Sequence, residues 1–368
     1  LLYGFVGIKG SYVYPYLGLY KTSFLKKIMM ATTISARNSS IELLRIFTMA
    51  SVLMGHSFGH GAHGEVSYDG LFLLWGVCIN VFLLISGYYG INLRVKSFLN
   101  LTGMVLFYHL LSSVLNIVIF RGGVNVNHLI SAFLPISHNY FYWFIACYLM
   151  LMLLSPLLNK GLQALSNGQL LFTMAVMIYI NCISGWLFKN GLNSNGFNIM
   201  QMIFMYVIGY GLHRFDAEKS GKMWLLLMAY AMLSVINMLI TDYLPDRFGG
   251  YNNPFVVAKS VVVFCIFLRV HFQSKTVNRI AACVFPCYLL QDGAAGFSFY
   301  DVQYGVWQSL QNSFGYLGFV IVCTVCIFAL AMLLEPIRKR VMSPLNDRIY
   351  TILKLHRIDE VLRDNTKS

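Results

Sequence analysis

Residues 41–61 read IELLRIFTMASVLMGHSFGHG, an almost wholly apolar run that nevertheless carries Arg45 and His56. Eleven steps of about 100° return His56 to within roughly 20° of Arg45, and at 1.5 Å rise the two stand roughly 16 Å apart along a helix. One helix face thus presents a cation and an imidazole at two depths. Inside a bilayer, ionisable side chains are costly and normally face a bundle interior, a cavity or a partner. The plainer reading has Arg45 snorkelling from one helix end and His56 capping the other.

Composition sets this segment in a membrane. The chain is 58% hydrophobic and 11% charged, with a mean hydropathy of +0.65, whereas soluble domains carry about 25% charged residues. Ten apolar runs approach the length a spanning helix needs, at roughly 41–58, 70–90, 97–120, 140–158, 169–188, 197–213, 222–241, 254–272, 277–298 and 315–335. Short polar connections such as KNGLNSNG separate them. The fold class expected is an all-α integral membrane bundle of ten transmembrane helices, with a membrane domain over 37–340 and no inserted soluble domain. Residues 1–36 are expected to be an extension, disordered or lying upstream of a start at Met29 or Met30. Residues 341–368 are expected to be a basic tail, and TILKLHRIDEVL within it has the spacing of an amphipathic surface helix.

Loop charges orient the bundle. With the N-terminus inside, Arg94, Lys96, Lys160, Arg214, Lys275, Arg279 and the tail fall on the inner side, and only Arg121, Lys189 and Arg247 fall outside. The positive-inside rule therefore places both termini in the cytoplasm. It also accounts for the net charge of +13 without a nucleic-acid partner. All eight cysteines lie in apolar runs, which argues against a disulfide framework. His60 and His63 follow His56 at ligand-like spacing, yet no cysteine joins them and no metal is expected.

The pair Arg45 and His56, preceded by Glu42-Leu43-Leu44, resembles acyltransferase family 3, the membrane-bound O-acyltransferases of bacterial surface glycans. The stretches NVFLLISGYYG (Asn80 to Gly90), NYFYWFIACYLMLMLLSPLLN (Asn139 to Asn159) and VFPCYLLQD (Val284 to Asp292) are similar to that family as well. Where many members carry His-Glu, this chain reads Gln291-Asp292. The resemblance implies acyl transfer, most simply of acetyl, from cytoplasmic acyl-coenzyme A to a hydroxyl of a cell-surface or lipid-linked glycan at the outer face of the inner cell membrane. Acyl-coenzyme A is then a co-substrate, and no bound cofactor is implied.

The residue chemistry agrees. Acyl transfer to an alcohol needs a base such as His56, and a cation such as Arg45 to stabilise the developing charge or hold phosphates. Glu42 is placed to support Arg45. Arg94, Lys96 and Ser86 around SGYYG are donor-side candidates, against the alternative of ordinary inner-face charge. Trp143, His60, Lys259 and Asp292 are acceptor-side candidates. Lys259 and Asp292 are expected at one depth, near that of His56, and an ion pair between them beside His56 is the economical arrangement, with Asp292 available to orient the imidazole or an acceptor hydroxyl. A transporter or flippase of lipid-linked glycan is the alternative function, weakened by the lack of an internal repeat.

Overall fold

A computed structural model describes residues 38–65, 77–123, 130, 133, 142–189, 191–193, 195–219, 221–243 and 250–364. The expected N-terminal extension, the start of the expected second span, and Tyr140 and Phe141 lie outside the described residues. The described chain is helical throughout: α1 (Ser39–Gly59), α2 (Cys78–Tyr89), α3 (Val95–Phe120), α4 (Trp143–Ala164), α5 (Asn167–Ile178), α6 (Ile199–Arg214), α7 (Met223–Tyr243), α8 (Pro254–Arg269), α9 (Lys275–Ala281), α10 (Val284–Gln291), α11 (Ala294–Leu310), α12 (Ser313–Ile352) and α13 (His356–Asp364). A π-helical turn, Tyr179–Leu187, prolongs α5.

Among the described residues six helices are long and apolar enough to cross a membrane, and α9 to α11 make a seventh if that bent run is one span. Their outward faces are hydrocarbon. Trp224, Met228, Met232 and Val235 on α7, and Val322, Val325 and Leu333 on α12, are all more than half exposed. Apolar belts of that extent are foreign to soluble monomers and belong in lipid. The protein is an all-α membrane protein.

Small residues and polar networks hold the bundle where the hydrophobic effect between helices is weak. Gly87 on α2 lies directly against the backbone of Tyr206 on α6, so that any Cβ there would run into the Tyr206 carbonyl. Around the α5–α6 connection, Gln201 Nε2 donates to Asn80 Oδ1 and to the Tyr251 carbonyl, each at 2.9 Å. Asn193 Nδ2 donates to Gln201 Oε1 at 3.1 Å, and Asn252 Nδ2 donates to the Asn181 carbonyl at 3.1 Å. This network fixes the backbone of Tyr251.

Two features depart from the expected spans. The run expected at 277–298 is not one straight helix: it breaks between α9 and α10, and again at Asp292–Gly293, where the chain bends by 74° into α11. Helix α11 itself, rich in Tyr, Gln and Gly, carries too little apolar periodicity to be read as a span. Helix α12 does not stop near residue 335. At 1.5 Å per residue its 40 residues reach about 60 Å, twice a hydrocarbon core. Its polar end is held by the buried pair Arg338 and Glu335, joined through Nε at 2.8 Å and Nη2 at 2.7 Å. Beyond a left-handed turn at Lys354, α13 packs back on α3. There Asp359 accepts from the Val95 amide and the Tyr350 hydroxyl, both at 2.7 Å, and so caps the start of α3.

Candidate active site

Helix α1 is pinned at its start: Ser39 Oγ donates to Asn278 Oδ1 at 2.9 Å and Ser40 Oγ to the Phe267 carbonyl at 2.8 Å. That anchorage sets the azimuth of the whole helix. Arg45, Met49, Val52 and His56 consequently form one stripe, as the 3.6-residue period requires.

The other three residues of this stripe, Met49, Val52 and His56, line a chamber whose other walls are Ile79, Phe82, Trp143, Phe144, Phe197, Tyr251, Phe285 and Tyr288. Trp143 stacks on Tyr251 with centroids 6.3 Å apart, and Tyr288 stands 6.5 Å from the His56 ring. Arg45 lies one helical turn, about 6 Å, beyond Met49. Its Nη1 is 3.6 Å from Glu42 Oε2, so Glu42 does accompany it, at the end of the bundle opposite His56.

The break after α10 delivers the partner of His56. Pro286 sits in the first turn of α10, where its missing N–H costs little. The helix ends at Gln291 and leaves Asp292 as its buried C-cap. Gly293 lies so close to Ser112 and Tyr142 that a side chain there would collide with both. Asp292 Oδ1 thus comes to 2.8 Å from His56 Nδ1. A carboxylate this close to Nδ1 favours the proton on that nitrogen, with Nε2 as the basic one.

Lys259 does not pair with Asp292 as expected. It is fully buried, but its side chain turns into the α7–α8 seam, with Nζ 6.0 Å from the Tyr230 centroid and no hydrogen-bond partner among the described residues. Asp292 meets His56 because α10, whose C-cap it is, packs against α1. His60 is brought to the site: its ring centroid is 5.7 Å from that of His56 and 5.3 Å from that of Tyr300. Burial, and then the neighbouring His56, lower its pKa below the usual imidazole value. The other candidates lie elsewhere. Arg94 is exposed at the N-cap of α3, and Lys96 pairs with Asp347 at 2.8 Å. Ser86 Oγ donates to the Phe82 carbonyl at 2.9 Å and lies 3.4 Å from the Tyr148 hydroxyl. Tyr251, Phe285 and Tyr288 escaped the reading of the sequence because an aromatic in an apolar run carries no mark of the cavity it faces.

The arrangement is an imidazole beside a carboxylate on the wall of an aromatic chamber, and the long stretch of chain that builds it matches a known family. The acyltransferase domain of acyltransferase family 3 matches residues 38–336. The chain belongs to this family. Comparison with curated proteins and with solved structures gave no match. Family membership makes acyl transfer the general activity, and its matched region contains every residue of the His56 chamber. Among the described residues no group of His, Cys, Asp and Glu is arranged to hold a metal ion.

Proposed function

We propose that the protein transfers an acyl group, most simply acetyl, from cytoplasmic acyl-coenzyme A to a hydroxyl of a cell-surface or lipid-linked glycan on the outer side of the inner cell membrane. In this reading the chain crosses ten times, with both termini inside. The contact of His56 with Asp292 on the wall of an aromatic chamber carries the proposal. His56 Nε2 takes the acceptor proton as the hydroxyl oxygen attacks the thioester carbonyl, while Asp292 steadies the imidazolium that forms. Collapse breaks the carbon–sulfur bond, forms the ester and returns the proton to the departing thiolate.

The chamber's apolar walls exclude water, which would otherwise compete for the acyl group. Trp143 and Tyr251 give flat faces suited to a sugar ring. Arg45, at the inner end of the same stripe, meets the donor, with Arg94 and Lys96 available to its phosphates. The test is to incubate purified protein with radiolabelled acetyl-coenzyme A and follow thiol release and ester formation on a hydroxylated sugar. Turnover is expected for the wild type and a loss of about 10²–10⁴ for His56→Ala. Equal turnover by the two would overturn the assignment.

A further inference from the structure

Helix α12 carries apolar side chains past the depth at which a bilayer covers them. Counted from Ser313, a hydrocarbon core about 30 Å thick takes up roughly 20 residues of an upright helix and ends near Leu333. The lipid-facing belt of α12 does not stop there. Leu333, Ile337, Val341 and Leu345 follow one another at four-residue steps along one ridge, and Ile352 lies within about 20° of Leu345. Ile337 is 54% exposed, Val341 55%, Leu345 45% and Ile352 74%. At 1.5 Å per residue Ile352 stands about 28 Å beyond the end of that core, where an upright helix would leave it in water.

The same stretch carries charge of one sign. Arg340, Arg348, Lys354 and Arg357 are exposed, and Arg348 lies within about 60° of Ile337, Val341, Leu345 and Ile352 around the helix. Of the carboxylates from residue 336 to 360, Asp347 is paired with Lys96 at 2.8 Å and Asp359 is buried, which leaves Glu360. The other side of α12 is closed: Arg338, Met342 and Asn346 are buried, and Asn346 Nδ2 donates to Asn100 Oδ1 of α3 at 3.1 Å. The ridge is therefore turned away from the rest of the described chain. Pro336 and Pro344 stand inside the helix and free the carbonyls of Met332 and Arg340, which gives α12 two points at which to bend toward the membrane plane.

We propose that the end of α12 beyond Pro336 lies along the bilayer surface, its ridge sunk into the boundary between headgroups and acyl chains and its basic side chains on the headgroups of anionic phospholipids. An apolar ridge continuous with the lipid-facing belt, edged by cations, is the make-up of an interfacial helix, and an anionic lipid surface satisfies both features at once. A second copy of this chain on the same ridge would set like charges against each other. The surface helix expected over TILKLHRIDEVL is broken by the left-handed turn at Lys354, and most of the apolar face lies upstream of it, on α12.

The experiment places the full chain with Ile352→Cys in nanodiscs of phosphatidylcholine, without and with added phosphatidylglycerol, and measures the rate at which an uncharged, membrane-impermeant polyethylene glycol maleimide modifies that cysteine. Gly168→Cys, exposed at the start of α5 with open space around it, gives the reference rate in each bilayer and removes the general effect of surface charge on thiol reactivity. The relative rate at Ile352→Cys is expected to fall about fivefold or more when phosphatidylglycerol is added. Adding Arg348→Gln should restore about fivefold, the worth of one basic side chain at an anionic surface, while Arg348→Lys should restore nothing. Thermal unfolding of each variant reports its folding, and the comparison of the two bilayers needs no charge variant. Equal relative rates in the two bilayers overturn the proposal, whether the site is open in both, as for a face that awaits a protein partner, or closed in both, as for a contact between two copies. Undiminished protection in folded Arg348→Gln overturns it as well. The measurement needs no turnover, so its outcome is independent of the acyl-transfer reading.

Discussion

His56 Nδ1 and Asp292 Oδ1 lie 2.8 Å apart, the first on a continuous helix and the second at the cap of a broken one. In the proposed mechanism the carboxylate favours Nε2 as the nitrogen that acts as base. Asp292→Asn should keep the chamber's shape but lose the charge that steadies the imidazolium. Its kcat is expected to fall by about 10²–10⁴ with little change in the KM of the acyl donor, in a steady-state assay at matched abundance. A change confined to KM would assign Asp292 to binding instead.

Lys259 is fully buried beside the Tyr230 ring, and among the described residues its ammonium has no hydrogen-bond partner, a costly arrangement in a membrane domain. Lys259→Met keeps the volume and removes the charge, so the melting temperature in detergent should hold or rise. Lys259 and Asp292 share no ion pair, and their double-mutant cycle should be additive within about 0.5 kcal/mol. A larger coupling would mean that the two side chains interact after all.

Gly87 offers a test of the packing. Any side chain there meets the Tyr206 carbonyl, and the α2–α6 contact is the most extensive in the bundle. Gly87→Ala should destabilise the protein by about 1–3 kcal/mol, read as lower abundance and an earlier unfolding transition. Gly305, with open space around it, is the control: Gly305→Ala should be tolerated.

Lys96 and Asp347 are 2.8 Å apart with both side chains about half exposed, so the pair adds little stability and Lys96 remains available to phosphates. Arg94→Glu and Lys96→Glu should raise the KM for acyl-coenzyme A more than they lower kcat, because phosphate contacts act in ground and transition states alike. An unchanged KM in both would move the donor site toward Arg45.

The residue pattern alone was enough for the membrane class, the limits of most helices to within a few residues, and the pairing of Arg45 with His56 on one stripe. These follow from local quantities: apolar run length, the 3.6-residue period and the scarcity of charge in lipid. Ser166 and Gln169, which close a capping box at the start of α5, belong to the same local class. The partner of Asp292 was not local. The sequence put Lys259 and Asp292 at one depth beside His56 on antiparallel helices, and the contact of Asp292 with the imidazole is found, but depth says nothing of azimuth: α10 packs on α1 and brings its cap Asp292 to His56, while Lys259 faces α7. The chamber's aromatic walls likewise exist only where segments distant in sequence converge. Hydropathy determines that a segment lies in the membrane; only the packed bundle, through close backbone approaches such as Gly87 on Tyr206 and Gly293 on Ser112, decides which side chains meet there.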